Sequence, residues 1–323
     1  MHITADNKHI HLHIPHWQFY LLILLLLIAI VLGSLAAYNY YQANYFDSSL
    51  NGSEVKETQQ NSIPEDVKQV FQTMEVQLTP KATIIATPSA LIQFPPAVHV
   101  PILMYHYVEY VKDKGDKTRI SLNTTPDTLE QEIKTLKEAG FTFMTAQDLA
   151  EVLDGKARLP KKPIVLTFDD GYRDFYTDAY PILKKYQVKA TQYVISGFLN
   201  HANHLTSSQL LEIAKDGLVE IGAHTVHHVW LKGRSLKDVS NEVFQSREIL
   251  EKLINKPVIS FAYPFGAFDE QAVQIVKDAG FKIATSTIPG IDQKQEYRYF
   301  LYRLRPGGRT GQALLNWLSQ TRF

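Results

Sequence analysis

The chain has 323 residues, 45% of them apolar, with 33 basic and 33 acidic side chains and no cysteine. That length and apolar share suit one sizeable core with appendages, and the balanced charge excludes a chain-wide cationic field for holding nucleic acid. The lack of cysteine excludes disulfides, thiolate zinc sites and cysteine nucleophiles, leaving histidine and carboxylate as metal ligands.

Residues 1–16 form a short tail bearing His2, His9, His11, His13 and His16; their spacing matches no recognised metal site, and the tail reads as solvated. Residues 17–38 read as a transmembrane signal-anchor helix, because the run from Trp17 to Ala37 carries no charge and a bilayer span needs about 20 residues. The alternative is a cleaved leader, for which residues 33–37 offer small side chains. A leader core is usually only about 7–15 residues long, which favours retention. Residues 39–98 are rich in Gln, Asn, Ser, Thr and Pro without sustained periodicity and read as a flexible stalk. As a coil it would hold a head on the order of 40 Å from the bilayer. The expected product is a single-pass cell-membrane protein with its bulk outside the cytoplasm, or a secreted one if the leader is removed.

Residues 99–323 change texture to short β-branched runs alternating with helical patterns, the signature of βαβ units around a parallel sheet. Strands are predicted to begin at Val100, Phe141, Ile164, Thr191, Val219, Ile259 and Ile283. One helix starts near Pro126, turns Leu129, Ile133 and Leu136 to one side and ends before Gly140; another runs from Ser235 to Asn255 with Leu236, Val239, Val243, Leu250 and Leu253 on one face. About seven strand–helix pairs predict a barrel-like α/β fold, with an open doubly wound sheet as the alternative. Both place reactive groups at the C-terminal strand ends.

Two such ends carry chemistry. The apolar run from Ile164 to Phe168 stops at Asp169-Asp170-Gly171; two adjacent carboxylates there either cap a helix or divide labour, one binding a cation and the other serving as a general base. After the short strand 219–221 come His224, His227 and His228. Were this stretch helical, His224 and His228 would share a face at the i, i+4 spacing of two imidazoles on one metal, with His227 pointing elsewhere. One aspartate and two histidines leave room for water and substrate on a hydrolytic ion.

Residues 167–171 (Thr-Phe-Asp-Asp-Gly) and 224–228 (His-Thr-Val-His-His) resemble the first two motifs of the NodB-homology polysaccharide deacetylases, carbohydrate esterase family 4. Residues 261–266 (Phe-Ala-Tyr-Pro-Phe-Gly) are similar to the third. The resemblance spans roughly residues 100–310 and implies a distorted (β/α)7-type barrel. It implies Asp169 as catalytic base and Asp170, His224 and His228 as ligands of a divalent metal, with zinc expected and cobalt, nickel or manganese able to take the same donors. It also implies a groove at Tyr263, Pro264 and Phe265, the Phe265 backbone N–H helping to stabilise an oxyanion. Two departures stand out. The arginine before the third motif's proline is replaced by Phe261-Ala262, with Arg303 or Arg305 as substitutes, and no histidine follows His228 to act as the usual late acid. Residues 101–107 are similar to the opening strand of exopolysaccharide deacetylases acting on poly-N-acetylglucosamine, in which barrel elements are permuted; this makes His106 the implied acid. The implied activity is N-deacetylation of an extracytoplasmic amino-sugar polymer: poly-N-acetylglucosamine, peptidoglycan or a chitin-like chain. The alternatives are a degenerate glycan-binding module and a deacylase for another acylated carbohydrate. The partners expected are an N-acetylated polysaccharide and the membrane, and not nucleic acid.

Overall fold

The computed structural model describes residues 97–321. The predicted tail, membrane span and nearly all of the stalk lie outside them. Among the described residues, no helix is long and apolar enough to cross a membrane.

The chain enters through β1 (Val98–His99) and β2 (Ile102–Tyr105), passes the short helix α1 (Lys117–Leu122) and α2 (Pro126–Glu138), then β3 (Thr142–Met144), α3 (Ala146–Leu153) and β4 (Pro163–Phe168). It continues through α4 (Tyr180–Tyr186), β5 (Ala190–Val194), α5 (Ser207–Asp216), β6 (Val219–Ala223), α6 (Leu236–Ile254) and β7 (Ser260–Ala262). It closes with α7 (Glu270–Asp278), β8 (Ile283–Thr285), β9 (Asp292–Gln293) and α8 (Gly311–Gln320). The parallel path runs β2-β4-β5-β6-β7-β8. Every predicted strand exists, but β3 stands off this path, paired to the first half of β4.

The two edges of the path are joined by segment 301–304, which was not foreseen. Leu304 exchanges hydrogen bonds with Ile102 and Met104, both 2.8 Å, while Leu301 does the same with Ala284 and Ser286, also 2.8 Å. This makes the distorted barrel: six parallel strands and a seventh stave of single bridges. Its sequence, Leu-Tyr-Arg-Leu, is too short to show a strand period. At the N-terminal end, Val100, Ile102, Val165, Ile283 and Leu301 pack onto Leu149, Leu153 and neighbours of α3, so that end is plugged and the C-terminal end stays open.

Local chemistry sets the helix ends. Thr125 caps α2, its hydroxyl accepting from the Thr128 N–H, and Leu129, Ile133 and Leu136 are buried as expected. Ser235 caps α6, which stops at the left-handed Asn255. Leu236 is a correction: at 62% exposed it faces solvent as the first residue of α6, and the buried face begins at Val239.

Glu132 is buried on the core face of α2. It accepts the Tyr105 hydroxyl at 2.7 Å through one oxygen, while the other has no partner. Burial pushes its carboxyl up from 4.5 to about 7, against a smaller downward pull from the Tyr105 hydrogen bond. Folding therefore favours the protonated form: the stabilisation is complete below the unfolded value near 4.5 and is lost as pH rises through about 7. Urea unfolding should show wild-type stability dropping by on the order of 3 kcal/mol between pH 4 and 8 from this group, and Glu132→Gln should remove that slope.

Candidate functional site

Three strand ends and the closing segment converge at the open mouth, around one cavity of about 430 Å³. From β2 comes His106, from β4 Asp169 and Asp170, from β6 His224 and His228, and from segment 301–304 Arg303, with Arg305 just beyond it.

Asp169 is 3% exposed and held by a two-pronged guanidinium: Arg303 Nη1 donates to Oδ1 at 2.7 Å and Nη2 to Oδ2 at 2.8 Å. Arg303 is itself fixed, its Nε donating to the Ser286 carbonyl at 2.8 Å and its Nη1 also to Thr167 Oγ1 at 3.1 Å. The missing motif arginine is thus supplied by Arg303. Arg305 instead lines the cavity wall, half-buried. Burial alone would raise the Asp169 carboxyl, but the Arg303 charge, aided by His106 and His224, holds it below the ordinary carboxylate value. Such a group stays ionised and can accept a proton at neutral pH. Replacing Arg303 with Gln should cut turnover by about 10²-fold or more, since a buried positioning charge is lost. It should also lower the melting temperature, because breaking a buried pair costs roughly 3–5 kcal/mol. The decisive readout is the acid limb of the kcat/KM profile, which should move to higher pH as the pull on Asp169 disappears; loss of folded protein alone leaves that limb in place.

The neighbouring carboxylate faces the other way. Asp170 Oδ1 lies 3.3 Å from His224 Nε2 and 3.2 Å from His228 Nε2. Donor atoms of the three residues lie within 4.8 Å of one another. That Oδ1 is buried without a hydrogen bond of good geometry. The His224 ring is oriented from behind, its Nδ1–H donating to the Ala262 carbonyl at 2.7 Å and leaving Nε2 as a lone-pair donor. An orphaned carboxylate oxygen facing two imidazole nitrogens fits a divalent cation.

The loop reaches this geometry differently from the helical spacing considered above. Residues 224–228 form no helix; Thr225 and His228 adopt left-handed backbones, at φ 66° and 54°. The Thr225 hydroxyl accepts the His228 N–H at 2.9 Å, and Glu242 of α6 accepts the N–H groups of Val226 and His227, both at 2.9 Å. Glu242 also takes His227 Nδ1 at 2.8 Å, so His227 serves the loop from the surface. No sequence spacing announced Glu242, because it acts across two elements. Asp170 and Phe265 are likewise left-handed, at φ 74° and 58°. Strained backbone of this kind, concentrated in four non-glycine residues of one site, is a mark of functional geometry.

His106 Nε2 stands 3.9 Å from Asp169 Oδ2, on the cavity wall. Burial lowers its pKa, with Asp169 and Asp170 pulling it back. Phe265 lines the cavity and is 58% exposed; its N–H donates to no other described residue, so it is free for an oxyanion. Tyr263 lines the cavity as expected, though almost fully buried, whereas Pro264 is buried and not part of the cavity lining. The Tyr263 ring packs between Phe261 and Phe268, and its N–H is committed to the Thr285 carbonyl at 3.2 Å. Tyr107 and Tyr172, stacked at 3.9 Å on the cavity wall, were not anticipated.

A barrel mouth with a guanidinium-held carboxylate beside an Asp-His-His set defines a hydrolase of the metal-assisted type. Comparison with known proteins narrows this. Residues 156–284 match the polysaccharide deacetylase family. The Bacillus subtilis polysaccharide deacetylase homologue YxkH is 31% identical over 226 residues, covering 70% of this chain and 78% of that protein. The poly-β-1,6-N-acetyl-D-glucosamine N-deacetylase of Staphylococcus aureus is 29% identical over 170 residues, covering 49% of this chain and 58% of that enzyme. Among solved structures, the Streptococcus pyogenes deacetylase PplD in complex with acetate superposes with a TM-score of 0.63 at 31% identity, over 70% of this chain and all (100%) of that one. A polysaccharide deacetylase of Bacillus cereus gives 0.60 at 29% identity, over 69% of each chain. The chain belongs to the polysaccharide deacetylase family and is a hydrolase of that family.

Proposed function

We propose that this protein hydrolyses the N-acetyl groups of an extracytoplasmic amino-sugar polymer, of poly-N-acetylglucosamine, peptidoglycan or chitin type, with Asp170, His224 and His228 holding one divalent ion, zinc by preference. The observation that carries this reading is the division of two adjacent carboxylates: Asp169 is bound to Arg303, while Asp170 is turned to the imidazoles. When bound, the ion supplies Lewis-acid polarisation of an acyl oxygen and makes a neighbouring water easier to deprotonate. Asp169, kept anionic by Arg303, takes a proton from the attacking water. The Phe265 N–H donates to the oxygen on which charge develops. His106, beside Asp169, delivers a proton to the departing amine nitrogen, so that acetate and a free amine result. Two imidazoles and a carboxylate suit zinc, and cobalt, nickel or manganese fit the same donors.

Against a degenerate glycan-binding module speak Arg303, bound to Asp169 through both oxygens, and His106, whose Nε2 stands 3.9 Å from the same carboxylate. The Staphylococcus aureus relative draws the substrate towards poly-β-1,6-N-acetylglucosamine. Residues 17–38 as a retained anchor and the stalk behind them would present the head to such a chain outside the cell. Acetate release by the full chain from β-1,6- and β-1,4-linked N-acetylglucosamine oligomers, peptidoglycan and acetylated xylan tests the substrate class. Turnover is expected on the N-acetyl glycans; turnover confined to the O-acetyl ester would contradict it.

A further inference from the structure

We infer that Trp230 extends the Phe265 wall of the catalytic cavity into a sugar-stacking shelf at its rim, seating the ring next to the one being deacetylated and making the site selective for oligomers over single amino sugars. This rests on the deacetylase reading and specifies its substrate. A cavity of about 430 Å³ is of small-ligand size, so further rings of a chain must lie beyond it. Its rim on the β6–β7 side is aromatic. Phe265 packs on the His228 ring at 4.4 Å between centroids, and Trp230 stacks on Phe265 at 5.8 Å with the planes 29° apart.

Single exposed aromatics are unremarkable; a stacked pair continuous with a reactive cavity is not. Trp230 is 53% exposed and Phe265 58%, and neither is free to fold inward. Phe265 is held out by its left-handed backbone between Pro264 and Gly266. Gly266, at φ 66°, is drawn so close to Thr287 that a Cβ would stand 1.9 Å from its hydroxyl oxygen, so the loop has no room to retract. Trp230 is set outward by its neighbour Leu231, which is fully buried. Its carbonyl accepts Arg234 Nε at 2.7 Å, and the following turn is pinned where the Gly233 N–H donates to Asp269 at 2.8 Å. Loop contacts thus hold both rings in place without a ligand, which keeps the ordering cost of binding low. The occupant follows from chemistry and continuity. A pyranose presents a face of C–H groups that stacks on aromatic rings without needing a charge, and a chain with one ring at His228 carries its next ring to Phe265 and Trp230. Two rings are too small a patch for a protein partner.

The test is calorimetric binding and steady-state kinetics of the full chain with N-acetylglucosamine oligomers of one to five units, comparing wild type, Trp230→Ala and Trp230→Phe. Wild type should bind oligomers more tightly than the monomer. Trp230→Ala should weaken oligomer binding by roughly five- to tenfold and raise KM with kcat nearly constant, leaving monomer affinity unchanged; Trp230→Phe should recover most of the loss. Equal oligomer affinity in Trp230→Ala overturns the shelf, and so does an equal loss for monomer and oligomer, which marks a disturbance of His228. Trp230-dependent oligomer binding without acetate release would leave the shelf standing and defeat the deacetylase reading, whereas acetate release with no dependence on Trp230 would do the reverse.

Discussion

Replacing Asp169 with Asn should reduce acetate release by about 10²–10⁴-fold, the range expected for a general base, while leaving the metal content of the protein unchanged. The reason is geometric. Asp169 turns both oxygens to Arg303 and stands outside the Asp170, His224 and His228 cluster, so its charge serves proton transfer and not ligation. Asn retains the shape but can neither take the proton nor neutralise Arg303, so some loss of stability accompanies the loss of rate. Circular dichroism and elemental analysis on the same sample separate these effects. A folded, metal-loaded Asp169→Asn enzyme that turns over at the wild-type rate would remove Asp169 from the reaction.

The second large effect belongs to the imidazoles. His224→Ala deletes one of three donors and the ring that the Ala262 carbonyl orients, so ion affinity should fall by more than the roughly 10–100-fold that follows loss of an outer-shell partner. Activity should fall with it and return only in part at high ion concentration. His228→Ala should behave alike. His227→Ala provides the contrast: its side chain meets Glu242 on the surface, so it should retain the ion. Equilibrium dialysis against a zinc buffer measures all three; equal affinity in His224→Ala and wild type would exclude His224 as a ligand.

The barrel was legible where its strands are short runs of apolar, β-branched residues bounded by punctuation. Ile164 to Phe168 reads as a buried strand and is one, and Ser235 and Asn255 mark the ends of α6 because capping chemistry is local. Segment 301–304 was illegible because its strand character comes only from the partners on either side. The i, i+4 reading of His224 and His228 paired the right two residues for the wrong reason. The loop brings them together through left-handed turns at Thr225 and His228 and through Glu242, none of which a periodicity reports. Sequence resemblance supplied the ligand set, yet it could not choose between Arg303 and Arg305. Two residues apart on one strand-like segment, they differ in depth: Arg303 lies beneath Asp169 at 1% exposure, while Arg305 stops at the cavity wall.

One measurement bears most directly on this account: stripping the protein with a chelator and restoring a divalent ion stepwise while recording bound ion and acetate release together. Activity should rise in proportion to ion bound and level off at about one ion per chain, and the Asp170→Ala variant should neither load nor recover. Full acetate release from the stripped protein, or an undiminished ion load in Asp170→Ala, would contradict the assignment of Asp170, His224 and His228 as the metal centre.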